Sequence, residues 1–129
     1  MATATRSQTK LLIYIVDDEE MILELATVLL EPLGYEVATF RDPVQALSAL
    51  AAAAPRPALI VTDYAMHTMD GMEFIAQCRQ LVPQQKLVLV SGTVTQEVYA
   101  QSLVKPDRFL AKPFTTRQLV DLVKEMVGE

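Results

Sequence analysis

Five polar side chains directly follow short apolar segments of this chain. Asp17 and Asp18 follow the first such segment, and Asp63, Ser91 and Lys112 follow later ones. Three carboxylates brought together stay ionised only if a cation lies among them, and carboxylate oxygens favour a hard ion such as Mg²⁺. A metal, an ammonium and a hydroxyl around one carboxylate suit phosphoryl transfer. That carboxylate can itself be the nucleophile and become an aspartyl phosphate.

The apolar segments indicate how these side chains would meet. Residues 11–16, 58–62, 87–90 and 109–111 are almost continuously apolar, which is typical of strands buried on both faces of a parallel sheet. Parallel strands end at one edge of the sheet, and ligands of open α/β sheets bind at that edge. We expect Asp63 to be the nucleophile because it would end the central strand, between the acidic pair and Lys112.

Strand-like and helix-like segments alternate along the whole chain. Parallel crossovers are right-handed and each needs a helix, so five strands alternating with five helices predict an α/β protein with a doubly wound, five-stranded parallel sheet. The flavodoxin-like strand order 2-1-3-4-5 would place the first and third strands side by side. We expect strands over residues 11–16, 35–40, 58–62, 86–90 and 108–111, and helices over 19–30, 43–54, 71–81, 95–103 and from Thr115 or Thr116 onward.

Local signals describe the first two helices more closely. In the first helix Met21, Leu25, Val28 and Leu29 lie on one apolar stripe, which we expect to face the core. Asp42 precedes the second helix and is a favoured residue type for its N-cap.

Length and composition predict a single domain over residues 11–127, preceded by a flexible tail over residues 1–10. The chain has 129 residues and is 51% apolar, which is enough for one hydrophobic core. Its apolar segments are too short to span a bilayer, and the polar start shows no cleavable signal. The single cysteine excludes an internal disulfide and fits a cytoplasmic location. A net charge of −5 argues against direct nucleic-acid binding.

Each candidate side chain also has a simpler explanation. Asp18 and Glu19 could simply cap the first helix without binding a metal. The third carboxylate, Asp63, is what favours a metal site. Lys112 alone would be a solvated charge at a strand end, and Ser91 alone would be a turn residue. The five side chains taken together favour phosphoryl transfer.

Five motifs give the chain a specific resemblance. From about Leu11 to Val127, the sequence resembles the receiver domain of two-component response regulators. The motifs occur in that family's order and spacing, and they are Ile15-Val16-Asp17-Asp18-Glu19, Val61-Thr62-Asp63-Tyr64-Ala65-Met66, Met69-Asp70-Gly71, Val90-Ser91-Gly92 and Ala111-Lys112-Pro113-Phe114.

The resemblance implies a role for each candidate residue. Asp63 would be the phosphoacceptor, and Lys112 and Ser91 would bind the phosphoryl oxygens. The family's Mg²⁺ site implies Asp18 as a direct ligand, Asp17 as a ligand directly or through water, and the backbone carbonyl of Ala65 as a further ligand. Phe109 falls at the family's switch aromatic, and it would reorient when Ser91 moves toward the phosphate.

The resemblance also implies partners. A sensor histidine kinase or a histidine phosphotransfer protein would supply the phosphoryl group to Asp63 with Mg²⁺ bound. The domain would catalyse its own phosphorylation and slow dephosphorylation, and it would not be a turnover enzyme. Phosphorylation would shift the face formed by the fourth helix, fifth strand and fifth helix. That face could also form a homodimer. The sequence does not indicate which effector the domain would act on.

The chain departs from the family at some positions, and two alternatives stay open. His67 stands where the family usually has proline; we expect this lone loop histidine to be simply solvated. Ala65 and Thr93 are small at positions that influence phosphate lifetime. A phosphatase that forms an aspartyl phosphate often has an acidic residue two positions after its nucleophile, where this chain has Ala65. A phosphorylation-independent interaction module of the same fold would not need the intact polar set.

Overall fold

A computed structural model describes residues 10–92 and 104–128 and contains one five-stranded sheet. All neighbouring strands are parallel and their order is β2-β1-β3-β4-β5. The predicted sheet and its strand order are therefore confirmed. The strands are β1 (Leu12–Val16), β2 (Glu36–Phe40), β3 (Leu59–Asp63), β4 (Leu87–Ser91) and β5 (Arg108–Ala111).

The described part of the chain contains four α-helices. They are α1 (Glu20–Leu30), α2 (Pro43–Ala52), α3 (Gly71–Leu81) and α4 (Thr116–Val127), and a short 3₁₀ turn (Glu31–Leu33) follows α1. The helix predicted over residues 95–103 lies outside the described residues, as does the predicted tail apart from Lys10. None of the helices in the described ranges is long and apolar enough to cross a membrane.

Two helices, α2 and α4, begin at the expected capping residues. The Asp42 carboxylate accepts a hydrogen bond of 2.9 Å from the Val44 amide at the start of α2. Of the two threonines considered for the last helix, Thr115 is the N-cap, and it forms a reciprocal capping box with Gln118. Such a pair satisfies amides that would otherwise lack a partner in the first turn. These caps confirm the predicted starts of α2 and α4.

The two faces of the sheet carry separate cores because side chains alternate along each strand. Ile13, Ile15 and Val61 pack with buried residues of α1 and α4 on one face. Tyr14 and Ile60 pack with buried residues of α2 and α3 on the other face. The sheet is therefore a central layer, and helices hold the strand ends in place from both sides.

The prediction of which side of α1 is buried is wrong. Met21 is 79% exposed and Val28 is 68% exposed, whereas Leu23, Ala26 and Leu30 face the core. Of the predicted stripe, Leu29 packs against that core as a partly buried residue and Leu25 is 37% exposed. Apolar residues lie on most sides of α1, so hydrophobicity alone does not select the buried side. The connection from β1 and the packing against α4 select it instead.

Candidate functional site

The carboxyl ends of four strands bring the predicted side chains together at one edge. Asp17 directly follows β1, Asp63 ends β3, Ser91 ends β4 and Lys112 follows β5. Asp17 and Ser91 are each 3% exposed and Asp63 is 7% exposed. The register pairs Asp63 with Val90 and Ser91 with Ala111, so the strand ends are nearly level. Buried polar groups at this density must find partners among themselves or in a ligand.

The three carboxylates form a compact group that could hold a metal ion. One ligand oxygen from each of Asp17, Asp18 and Asp63 lies within 4.8 Å of the other two. Asp17 and Asp63 are buried, and Asp18 is partly exposed. An all-oxygen donor set of this kind fits a hard divalent cation.

Lys112 bridges the buried carboxylates. Its Nζ lies 3.1 Å from Asp63 Oδ1 and 3.3 Å from Asp17 Oδ2. Glu19 Oε1, a contact that sequence reasoning missed, lies 3.7 Å from the same nitrogen. The Lys112 amide also donates a 2.9 Å hydrogen bond to the carbonyl of Ser91. The ammonium is therefore held beside Asp63 by its backbone as well as by its charge.

Burial and neighbouring charges raise the pKa values of Asp17, Asp63 and Lys112. Burial raises the pKa of Asp17 to about 6, and the nearby Asp63 charge adds to this, while the Glu19 amide and Lys112 oppose it. Burial also raises the pKa of Asp63, with Lys112 opposing the shift. Burial tends to lower the pKa of Lys112, but the Asp17 and Asp63 carboxylates outweigh it, so that pKa is raised. A cation at this edge would stabilise the charged carboxylates.

The raised pKa of Asp17 predicts a specific pH dependence of stability. Between pH 3.8 and about 6 the folded chain keeps the Asp17 proton that the unfolded chain releases. The folded state therefore binds more protons there, and this residue's contribution to the free energy of unfolding falls by about 3 kcal/mol as pH rises through that window. Urea unfolding of the wild type and of Asp17→Asn, without divalent cations, measures the difference. A difference that does not change with pH contradicts the prediction.

Asp17 and Asp18 differ in their contacts. Asp17 Oδ1 accepts a 2.9 Å hydrogen bond from the Glu19 amide, so this carboxylate supports the start of α1. The N-cap of that helix is Glu19, which makes no side-chain capping bond. Asp18, whose capping role was the simpler alternative, instead lies 3.3 Å from His67 Nε2 through its Oδ2. Its carboxylate therefore lies at the mouth of the site, where its side chain is 25% exposed.

Gly71 lets the loop after β3 return close to the phosphoacceptor candidate. A Cβ at this position would lie 2.5 Å from the Asp63 carbonyl oxygen and 2.9 Å from Tyr64 Cα, distances that no side chain tolerates. The Gly71 amide donates a 2.7 Å hydrogen bond to the Tyr64 carbonyl, and Asp70 caps α3 through the Glu73 amide at 2.8 Å. The Asp-Gly pair in the sequence was the available signal for this close approach.

The remaining residues singled out in the sequence are Ala65, Phe109 and His67. Ala65 is exposed in the loop after β3. Phe109 lies in β5 opposite Leu89, and it is partly buried against the core under α2 and α3. His67 is 90% exposed but contacts Asp18, so the expectation of a merely solvated histidine is incomplete. Its sequence signal was the replacement of the usual proline.

Comparison of the sequence with known proteins gives one consistent family. Residues 13–124 match the family described as the response regulator receiver domain. The chain is 35% identical over 120 residues to the alkaline phosphatase synthesis transcriptional regulatory protein PhoP of Bacillus subtilis, covering 89% of this chain and 48% of that protein. It is 30% identical over 117 residues to the sensor kinase CckA of Brucella abortus, covering 89% of this chain and 12% of that protein. The chain thus spans about half or less of these relatives.

Solved structures agree with the sequence comparison. A CheY-like response regulator receiver domain protein from Methanospirillum hungatei superposes with a TM-score of 0.85 at 28% identity, covering 93% of this chain and 95% of that one. The chemotaxis response regulator CheY4 of Vibrio cholerae gives a TM-score of 0.83 at 26% identity, covering 92% and 99%. The similarity therefore extends over nearly the whole of both folds.

Proposed function

This chain belongs to the response regulator receiver domain family, and from that premise we propose that it accepts a phosphoryl group on Asp63. The phosphodonor would be a phosphohistidine of a sensor histidine kinase or of a histidine phosphotransfer protein. The contact that supports this most directly is the 3.1 Å approach of Lys112 Nζ to Asp63 Oδ1, within a group of three carboxylates. We propose that residues 11–127 form the receiver domain and act in the cytoplasm.

A divalent cation fits the proposed site. Asp17, Asp18 and Asp63, with the backbone carbonyl of Ala65, would hold Mg²⁺. When bound, Mg²⁺ neutralises charge on the carboxylates and on the phosphoryl oxygens. The raised pKa values of Asp17 and Asp63 indicate that, without such an ion, the charges at this edge are incompletely compensated.

The side chains supply the rest of the transfer. An Asp63 oxygen attacks phosphorus, and the phosphorus–nitrogen bond of the donor breaks as the phosphorus–oxygen bond forms. The imidazole leaves with the electron pair and takes up a proton from solvent. Lys112 remains within reach of the transferred group and neutralises one phosphoryl oxygen, and the Ser91 hydroxyl donates to another. Movement of Ser91 toward the phosphate would let Phe109 reorient. The face formed by the predicted helix over residues 95–103, β5 and α4 would then change. Residues 93–103 of this face lie outside the described part of the chain.

Phosphorylation by a small donor tests this proposal directly. Incubation with acetyl phosphate and Mg²⁺ should add one phosphoryl group per chain, measured by intact mass spectrometry, and chelation of the metal should abolish the addition. A chain that binds no Mg²⁺ and takes no phosphoryl group would support an interaction module of the same fold. Steady release of phosphate from phosphate esters would support a phosphatase instead.

The exposed apolar residues of α1 give the phosphodonor protein a place to bind. Met21 and Val28 are more than two-thirds exposed, and α1 begins directly after the acidic pair. A groove of about 330 Å³ runs beside this helix and connects it with the site; its lining includes Leu25, Phe114 and Lys112. Contiguous exposed apolar surface next to a reactive site is typical of a protein interface. We infer that the phosphodonor protein covers this part of α1.

Met21→Glu should separate the protein donor from the small donor. The substitution places a charge on the apolar face and, in the first turn, does not oppose the helix dipole. We expect transfer from a phosphorylated histidine phosphotransfer protein that labels the wild type to fall about 10-fold, equivalent to roughly 1.4 kcal/mol, with labelling by acetyl phosphate unchanged. Leu81→Glu is the control for a new charge on a distant exposed apolar residue, because Leu81 is 42% exposed at the far end of α3. Equal transfer to both variants contradicts the inference.

A further inference from the structure

We propose that His67 is an additional metal ligand that gives this site a higher preference for Zn²⁺ over Mg²⁺ than three carboxylates alone would give. The proposal rests on the proposed function, since it takes Asp17, Asp18 and Asp63 as the metal-holding group. Imidazole nitrogen suits Zn²⁺ and other transition ions, whereas Mg²⁺ prefers oxygen. One nitrogen added to an oxygen site therefore changes which ion it selects.

The distance between His67 and Asp18 fits two ligands of one ion. His67 Nε2 lies 3.3 Å from Asp18 Oδ2. Adjacent nitrogen and oxygen ligands, each about 2.1 Å from a metal at an angle between octahedral and tetrahedral values, are roughly 3.0 to 3.4 Å apart. An ion could therefore lie between these two atoms with little movement of either residue.

The loop around His67 is anchored on both sides. Thr68 Oγ1 donates a 3.0 Å hydrogen bond to Asp42 Oδ1, which ties the loop to the start of α2. On the other side the Met66 sulfur lies 4.0 Å from Thr62 Oγ1 of β3. These contacts hold the backbone that carries His67 beside Asp18, although the imidazole itself is 90% exposed. The loop contacts therefore restrain the backbone on both sides of His67, and the contact with Asp18 places the ring.

The exposure of His67 also leaves its nitrogen available to an ion from solvent. Asp18 is the most exposed member of the acidic group, so an ion would meet the Asp18–His67 pair at the mouth of the site. Cys78, a strong ligand for Zn²⁺ elsewhere in proteins, is fully buried in α3 and does not compete for the ion.

The single histidine makes the proposal directly observable. The chain contains one His, so a tag-free sample has one set of imidazole C–H signals in its proton NMR spectrum. Addition of Zn²⁺ to the unphosphorylated protein should shift these signals, and saturating Mg²⁺ should leave them nearly unchanged. Asp18→Asn should abolish the Zn²⁺-dependent shift, because the second ligand of the pair is removed. A Zn²⁺ shift that persists in Asp18→Asn indicates adventitious binding at the ring and overturns the proposal.

Calorimetry with two variants shows whether His67 is a metal ligand or only a group that orients Asp18. Zn²⁺ affinity should fall about 10-fold in both His67→Ala and His67→Gln, with Mg²⁺ affinity changed less than about 2-fold. Unchanged Zn²⁺ affinity overturns the proposal. The proposal is also overturned if His67→Ala lowers the affinities for Zn²⁺ and Mg²⁺ equally and His67→Gln restores both. His67 would then only orient Asp18. Phosphorylation by acetyl phosphate and Mg²⁺ would persist whichever of these calorimetric results is obtained. Absence of phosphorylation in the wild type would instead contradict the proposed function.

Discussion

Asp63→Asn should abolish phosphorylation by acetyl phosphate, lowering the rate by at least about 10³-fold. The amide keeps the size of the carboxylate and loses its negative charge and nucleophilic oxygen. Asp63 is the member of the acidic group that ends the central strand and lies closest to the Lys112 ammonium. Intact mass spectrometry after incubation with acetyl phosphate and Mg²⁺ would show no added phosphoryl group.

The loss should not be accompanied by unfolding. Burial raises the pKa of Asp63, so its charge is costly in the folded chain, and a neutral amide relieves that cost. We expect the free energy of unfolding without metal to be unchanged or higher in Asp63→Asn. Asp121→Asn is the matched control, because this carboxylate of α4 is 67% exposed and pairs only loosely, at 3.7 Å, with Arg117. Labelling of Asp63→Asn at the wild-type level would refute the assignment of the phosphoacceptor.

Lys112→Ala should have the second-largest effect. It removes the cation that lies within 3.3 Å of both Asp17 and Asp63, and with it the positive charge that would neutralise a phosphoryl oxygen. We expect phosphorylation to slow by about 10²-fold. Two buried carboxylates would also lose a shared partner, so the metal-free chain should lose roughly 2 kcal/mol of stability at neutral pH. Labelling rates and urea unfolding measure the two effects.

The chain offers a close control for Lys112. Lys105 also precedes a proline, but it is exposed, lies in the segment before β5, and belongs to no described ion pair of the site. Lys105→Ala should therefore label and unfold like the wild type. If Lys112→Ala labels as fast as Lys105→Ala, the ammonium beside Asp63 has no role in the transfer.

The fold was largely predictable because its signals are local and consistent. Short apolar strands alternate with helices, and the end of each strand is marked by a charged or hydroxyl residue. The caps at Asp42 and Thr115 use side-chain hydrogen bonds to nearby amides, so a few residues of sequence contain the necessary information. The strand order followed from the common flavodoxin-like arrangement of five strands that alternate with helices.

The failure on α1 shows where local information ends. Its apolar residues form a wide arc around the helix, with Glu20, Glu24 and Thr27 on the remaining side, so several directions within that arc look equally suited to a core. Burial of Leu23 and exposure of Met21 depend on α4, whose residues lie about ninety positions later in the chain. A periodic pattern indicates the helix, but it indicates the direction of the buried side only when the apolar arc is narrow.

By itself, the sequence determined the order of the strands and helices, the candidate residues and the edge at which they gather. These depend on residue type, short-range periodicity and chain connectivity. Only the tertiary structure decided that Lys112 contacts Asp17 and Asp63 together and that His67 lies against Asp18. Such contacts join residues from different strands and loops, and their distances are set by how the whole chain packs around the sheet.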